Sequence, residues 1–230
     1  MDHRIISLGA LDCHPLWEER EPLRSGHSTT TLVRSTFEGE PRNILVDPGL
    51  PGRVIAARLH ERSGLLPRDI THVFLTCFRP DTRRGLEAFE HATWWISTAE
   101  REMVGVPMIS SLRRAEDEGE RELAEALERD VAVLRRCEAA PDMLADHVDL
   151  FPLPGVTPGL CGLLLEEPRH TTLICGDAVL TIEHLERGQI APWSSSVAQA
   201  KESFTEAVEI ADMLILGRDN AVINPVKRPF

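Results

Sequence analysis

The chain has no tyrosine, and aromatic residues make up only 5% of its 230 positions. Stacking platforms for nucleic-acid bases are therefore scarce. Positive charge is short as well: 25 Lys and Arg stand against 37 Asp and Glu, a formal net charge of −12 at pH 7. Such a balance repels nucleic acid and anionic membranes at long range. No apolar run approaches the roughly 18 residues that a membrane helix needs. The N-terminus, MDHRIISLGALDCHPLW, has neither a long apolar core nor a small-residue cleavage site, so no signal peptide is read there. The five cysteines, Cys13, Cys77, Cys137, Cys161 and Cys175, are odd in number and include no CxxC pair. That speaks against a disulfide framework or a zinc knuckle and for reduced thiols. A cytoplasmic protein with no nucleic-acid and no membrane partner is expected.

Hydrophobic residues at 42% and charged residues at 27% suit a globular chain. At about 150 residues per domain the length allows one or two domains. With no linker-like stretch, one domain over 1–230 is expected. Thr29 to Thr36 and Arg42 to Val46 read as a hairpin, ended by the turn Asp47-Pro48-Gly49. Arg53 to Ser63 reads as a helix with Val54, Ala57, Leu59 and His60 near helical spacing and Gly64 as its stop. The apolar run ending at Thr76 reads as a buried parallel strand. Leu86 to Phe89 is a short helix candidate, Thr93 to Ser97 a buried strand, and Thr98 to Val104 opens a helix. Ser111 to Cys137 is the longest helical candidate. It gains an apolar stripe at Leu123, Leu127, Val131 and Leu134, which suits packing on one face and makes a dimer or lid role an alternative. Together these predict a long helical insertion over about 98–140. In the second half, Val148–Leu153, Gly162–Glu166, Thr171–Cys175 and Asp212–Leu216 read as strands, and Ser196–Ile210 as an amphipathic helix with Val197, Ala200, Phe204 and Val208 on one side. Alternating strands and crossover helices in both halves predict a layered α/β sandwich. The tail NPVKRPF is too rich in proline to be regular.

The most informative phrase is Thr76-Cys77-Phe78-Arg79-Pro80-Asp81-Thr82-Arg83-Arg84-Gly85. A buried strand delivers its C-terminal end into a polar loop, where α/β folds build their sites. The frame resembles the metallo-β-lactamase superfamily, whose strand ends in His-x-His-x-Asp-His. Thr29-Thr30-Thr31-Leu32-Val33 with Ile44-Leu45-Val46-Asp47-Pro48-Gly49 is similar to that family's opening hairpin. Pro154-Gly155-Val156-Thr157-Pro158-Gly159 resembles its PGHTPG turn, Cys175-Gly176-Asp177-Ala178 its GDA turn, and Leu216-Gly217-Arg218-Asp219 its final segment. Five phrases stand in order from about 28 to 220. The resemblance implies an α/β, four-layer αβ/βα sandwich of the metallo-β-lactamase/glyoxalase II-like kind. It also implies metal-assisted hydrolysis, in which two zinc, iron or manganese ions hold a hydroxide and lower its pKa.

The ligands implied by the resemblance do not carry over. The two motif histidines of the first site fall on Cys77 and Arg79, and its third on Val156. In the second site Asp81 remains, its histidine becomes Thr82, and the last becomes Arg218; the bridging aspartate remains as Asp177. Arginine stays protonated and offers no lone pair to a metal. The expectation is therefore no metal ligand set, no cofactor and no assignable catalytic residue. Zinc, iron or manganese would return only with a rebuilt site. Arg79 and Arg218 are expected to balance Asp81 and Asp177 in place of the metals. The functional expectation is a hydrolase-like fold without metallohydrolase activity, a pseudoenzyme binding a small anion or a partner, with a homodimer as one form. The alternative is hydrolysis of an ester, thioester or phosphoester by a rebuilt or non-metal site in the same pocket.

His27, Asp47, Arg83 and Asp219 are expected at the pocket edge. His27 is a ligand candidate, with an ordinary loop histidine as the simpler reading. Cys77 is a nucleophile candidate, with space-filling as the simpler one. Arg83 and Arg84, with Arg79 and Arg218, could line a positive pocket for a carboxylate or phosphate; internal neutralisation by Asp81, Asp177 and Asp219 is the alternative. The resemblance implies that Asp47, in the turn after a strand, braces the loop through hydrogen bonds. Asp12-Cys13-His14 reads as an ordinary loop.

Overall fold

In the computed structural model, which describes residues 1–227, twelve strands form two six-stranded sheets. The first sheet runs in the order β1 (Asp2–Ser7), β2 (Thr30–Phe37), β3 (Glu40–Val46), β4 (His72–Leu75), β5 (Thr93–Ile96), β6 (Glu138–Ala139). Its first three strands pair antiparallel and the rest parallel. The second sheet places β7 (Met143–Ala145), β8 (Val148–Pro152), β9 (Cys161–Glu166), β10 (Thr171–Ile174), β11 (Met213–Ile215) and β12 (Ala221–Ile223) in chain order. Only β10 and β11 are parallel there.

Strand alternation explains the layering. In β4 and β5, Phe74 and Trp95 point between the sheets, where they meet Leu144, Leu163, Leu165, Ile174 and Ile215. Their neighbours Val73, Leu75, Trp94 and Ile96 point outward, onto α1 (Gly52–Ser63) and the later helices. Both faces of these strands are buried, which is why they read as unbroken apolar runs. On the far side, Leu173 and Leu214 pack against Ala200 and Ala207 of α6 (Val197–Ile210). The result is an αβ/βα sandwich. No helix among the described residues is long and apolar enough to cross a membrane.

Several expected elements shift. The buried face of α1 is Ile55 and Leu59, one turn apart, while Val54, Ala57 and His60 face solvent. Gly64 does stop it, in a left-handed conformation with its N–H on the His60 carbonyl. Leu86–Phe89 is a 3-10 turn. The expected helix over Ser111–Cys137 is instead parts of two. α3 (Thr98–Asp117) starts at a Ser97 cap and runs straight through Pro107, and α4 (Arg121–Arg136) follows antiparallel after a turn at Gly119. Gly119 sits at φ 74° with open space around it, a conformation that breaks a helix more effectively than the exposed proline does. Of the α4 stripe only Val131 and Leu134 are buried; Leu123 is exposed. Val197 of α6 is exposed too, and Ala200, Ser203 and Ala207 form the buried line. Strands β1, β6, β7 and β12 and the short α5 (Ile182–Arg187) had no expectation behind them. Residues 228–230 of the NPVKRPF tail lie outside the described part.

Candidate functional site: a guanidinium between two carboxylates

The site lies where β4, β10 and β11 end together. After Leu75 the chain turns through Thr76-Cys77-Phe78-Arg79 into the one-turn helix α2 (Pro80–Arg83), which carries Asp81. After β10 a 3-10 turn over Gly176–Ala178 presents Asp177. After β11 comes Gly217-Arg218. Two glycines let these loops touch. A Cβ on Gly176 (φ 52°) would stand 2.7 Å from Thr76 Oγ1, and one on Gly217 2.2 Å from the Gly176 carbonyl oxygen. Backbone bonds then fix Arg218: its N–H donates to Leu180 O at 2.8 Å, and Gly217 N–H to Val179 O at 2.9 Å.

Arg218 grips both aspartates. Its Nε and Nη2 each donate to Asp177 carboxylate oxygens at 2.8 Å, a two-pronged pair, and its Nη1 donates to Asp81 Oδ2 at 2.7 Å. Side chains of Arg218 and Asp177 are each 1% exposed. Arg79 adds a looser contact from the open side, with Nε 3.4 Å from Asp81 Oδ1 and 3.5 Å from Asp177 Oδ2. Its guanidinium lies 5.0 Å from the ring centroid of Trp193. Two positive and two negative groups thus cancel. Burial alone would weaken the Arg218 cation, but Asp177 and Asp81 more than offset it and hold its pKa above the ordinary arginine value. Burial likewise pushes Asp81 up, and Arg218 with Arg79 outweighs it, so its pKa ends below the usual carboxylate value.

The rest of the loop is braced rather than reactive. Asp47 sits at φ 48°, and its carboxylate accepts from Thr76 N–H at 2.9 Å and Thr76 Oγ1–H at 2.6 Å. Burial raises its pKa to about 7. Thr82 is buried, its hydroxyl shared between the carbonyls of Cys77 (2.9 Å) and Arg79 (2.8 Å). Cys77 is fully buried and packs in the core cluster that contains Val156. Burial first, and then the carboxylates of Asp177, Glu100 and Asp47, push its thiol well above the ordinary value. A nucleophile needs the opposite.

Other expected neighbours are not brought in. The ring nitrogens of His27 face the carbonyls of Ser25 and Leu8, each 3.0 Å away, so its own loop engages it. Arg83 turns to α4, where it pairs with Asp130 at 2.6 Å over the Phe78 ring. Arg84 reaches Ser25 Oγ at 3.0 Å. Asp219 accepts from the N–H groups of Ile182 and Asn220 and forms no salt bridge among the described residues. The cluster is Arg218, Asp177, Asp81 and Arg79, without a wider positive pocket.

Two arrangements had no expectation behind them. Glu100, buried in the first turn of α3, accepts from Phe78 N–H at 2.8 Å and Gly159 N–H at 3.1 Å, tying together the two loops that hold Cys77 and Val156. His14 is not an ordinary loop residue: it is 2% exposed. It stacks on Trp17 and lies 3.2 Å from Thr181 Oγ1, which also contacts Glu183 and His184. Thr181 as the cap of a short Ile-Glu-His helix is a readable signal. Nothing near His14 marks a partner 167 residues away.

The donor chemistry does not fit a dinuclear metal centre. Arg218 donates to both oxygens of Asp177 and to one of Asp81, so a fixed cation faces the two carboxylates where a metal would need them. Among the described residues no group of three or more His, Cys, Asp or Glu is placed to hold a metal ion.

Comparison with known proteins agrees on the fold. A solved structure from Thermotoga maritima assigned as a metallo-beta-lactamase superposes with a TM-score of 0.65 at 18% identity, covering 96% of this chain and 98% of that one. A Staphylococcus aureus protein assigned as a metal-dependent hydrolase gives 0.65 at 15% identity, with 91% and 83% covered. AidC, a dizinc quorum-quenching lactonase, gives 0.59 at 17%, with 79% and 68% covered. No protein of curated function matches. The family model of the metallo-beta-lactamase superfamily matches residues 23–216, and the chain belongs to that superfamily.

Proposed function

We propose that this protein is a metal-free member of its superfamily that binds rather than hydrolyses. One observation carries the reading: Arg218 spans Asp177 and Asp81 with three charge-assisted hydrogen bonds of 2.7–2.8 Å. A permanent cation thus sits against the carboxylates that a metal would need, and it cannot coordinate one. On this reading the carboxylates are engaged by the guanidinium in place of the Lewis acid that lowers the pKa of the family's hydrolytic water. A rebuilt non-metal hydrolase is less well supported, because Cys77 is fully buried with a raised pKa.

Because the four charges cancel, the ligand that fits this reading is a single small anion met at the Arg79 edge alone. Arg79 is the group that meets solvent, its side chain 33% exposed and its carboxylate contacts longer than those of Arg218. The open edge of its guanidinium, framed by Trp193, is where a carboxylate or phosphate would dock.

The test is metal content by plasma mass spectrometry. Protein purified without a metal-affinity tag is soaked in zinc, iron or manganese and desalted. The expected result is no retained stoichiometric metal in folded protein. Stoichiometric metal that disappears in Asp177→Ala would overturn the reading and restore a hydrolase.

A further inference from the structure

A cavity lies away from the arginine cluster, between α3 and α4. It encloses about 290 Å³, near the lower end of small-molecule pockets. Its walls are largely apolar: Val106 and Ile109 from α3, and Val131 and Leu134 from α4. Gly105 opens it, since a Cβ there would stand 3.2 Å from Leu134 Cδ2. The polar residues gather at one end. Arg101 lies in the first turn of α3 and Arg135 in the last turn of the antiparallel α4, so the topology sets them side by side. Neither makes a salt bridge or side-chain hydrogen bond among the described residues, and with Glu102 beside them the rim keeps one net positive charge. In a protein of net charge −12, two unpaired arginines at the mouth of an apolar slot stand out as a mark of complementarity.

We propose that this cleft binds an amphipathic carboxylate, a medium-chain acyl acid. Its chain lies along Val106, Ile109, Val131 and Leu134, and its carboxylate meets Arg101 and Arg135. The apolar wall supplies chain-length dependence. The guanidinium pair supplies the sign of the head group. This site is independent of the arginine–aspartate cluster, so either proposal can fail alone.

Isothermal titration calorimetry with the full chain tests it, using hexanoate, octanoate and decanoate below their micelle concentrations, and decyltrimethylammonium as the cationic control. Affinity is expected to rise about three- to fourfold per added methylene until the slot is full, with the cationic amphiphile at least tenfold weaker than decanoate. Arg101→Gln/Arg135→Gln should abolish the preference for the anion. Gly105→Leu, a change that favours helix, should fill the slot and weaken decanoate at least tenfold while the circular dichroism spectrum holds. Three results would overturn the proposal. They are no decanoate heat in the wild type, equal binding of both head groups, or a concentration-dependent doubling of mass that Gly105→Leu abolishes. The last would mean that a second copy of the chain occupies the cleft.

Discussion

Removing Arg218 leaves two facing carboxylates, one of them fully buried, without their tightest counter-ion. Arg218→Ala should therefore destabilise the fold by about 3–5 kcal/mol, read from urea unfolding. Exchanging the pair together for apolar residues, Arg218→Met with Asp177→Leu, should recover most of that loss, because the penalty comes from the uncompensated charge and not from a missing attraction. Asp47 makes a separate prediction. Burial raises its pKa from 3.8 to about 7, so the folded chain holds a proton that the unfolded chain releases. Its contribution is fully present below about pH 4 and is lost as pH rises towards 7. His72 and His184 act in the opposite sense. Burial lowers both from 6.5 to about 4, so their contribution is lost as pH falls through that interval. The difference between wild type and Asp47→Asn isolates the first effect: the wild type's advantage in unfolding free energy should shrink steadily from pH 4.5 to 7.5. At this scale the sequence was readable where charge logic was forced. Arg79, Asp81, Asp177 and Arg218 could be paired on paper because the family resemblance puts them at one site and two facing aspartates call for cations. Glu100 and His14 could not, because each is buried by contacts with residues far along the chain.

Pro107 stands exposed in the middle of α3, where it removes one backbone hydrogen bond and crowds the preceding turn. Pro107→Ala should stabilise the protein by about 1–3 kcal/mol, visible as a higher thermal midpoint. Two glycines give a contrast. Gly155 (φ 130°) has the Ala200 backbone nitrogen where its Cβ would be, at 2.2 Å, whereas Gly119 (φ 74°) has open space. Gly119→Ala should cost about 1 kcal/mol of backbone strain. Gly155→Ala should cost at least about 3 kcal/mol, since the start of α6 must also move. Both are measurable by chemical denaturation. Strands with two buried faces were legible from their unbroken apolar runs. β6, β7 and β12 were not, being two or three residues long and held by neighbours rather than by pattern. The division into α3 and α4 is not legible because the break falls at Gly119, inside one charged helical stretch, while the helix continues through Pro107.

For the molecule as a whole, the layered architecture was the most legible level, since it needs only the order of strands and helices and five short phrases. The reduced state of the thiols can be checked directly. All five cysteines are free, and only Cys13 is not buried. A thiol reagent should label one site per folded chain quickly and all five in denaturant. Any second fast site in the native protein would mean that the sandwich opens locally. The neutral four-charge cluster also bears on how such a protein can change. A histidine placed at position 218 by itself would uncover Asp177 and Asp81 before any other ligand existed to bring a metal in. Such a single change would therefore cost stability before any metal could offset it. The arginine is thus locked in by its neighbours, and a metal-ligating set could be built here only if several of these positions were altered together.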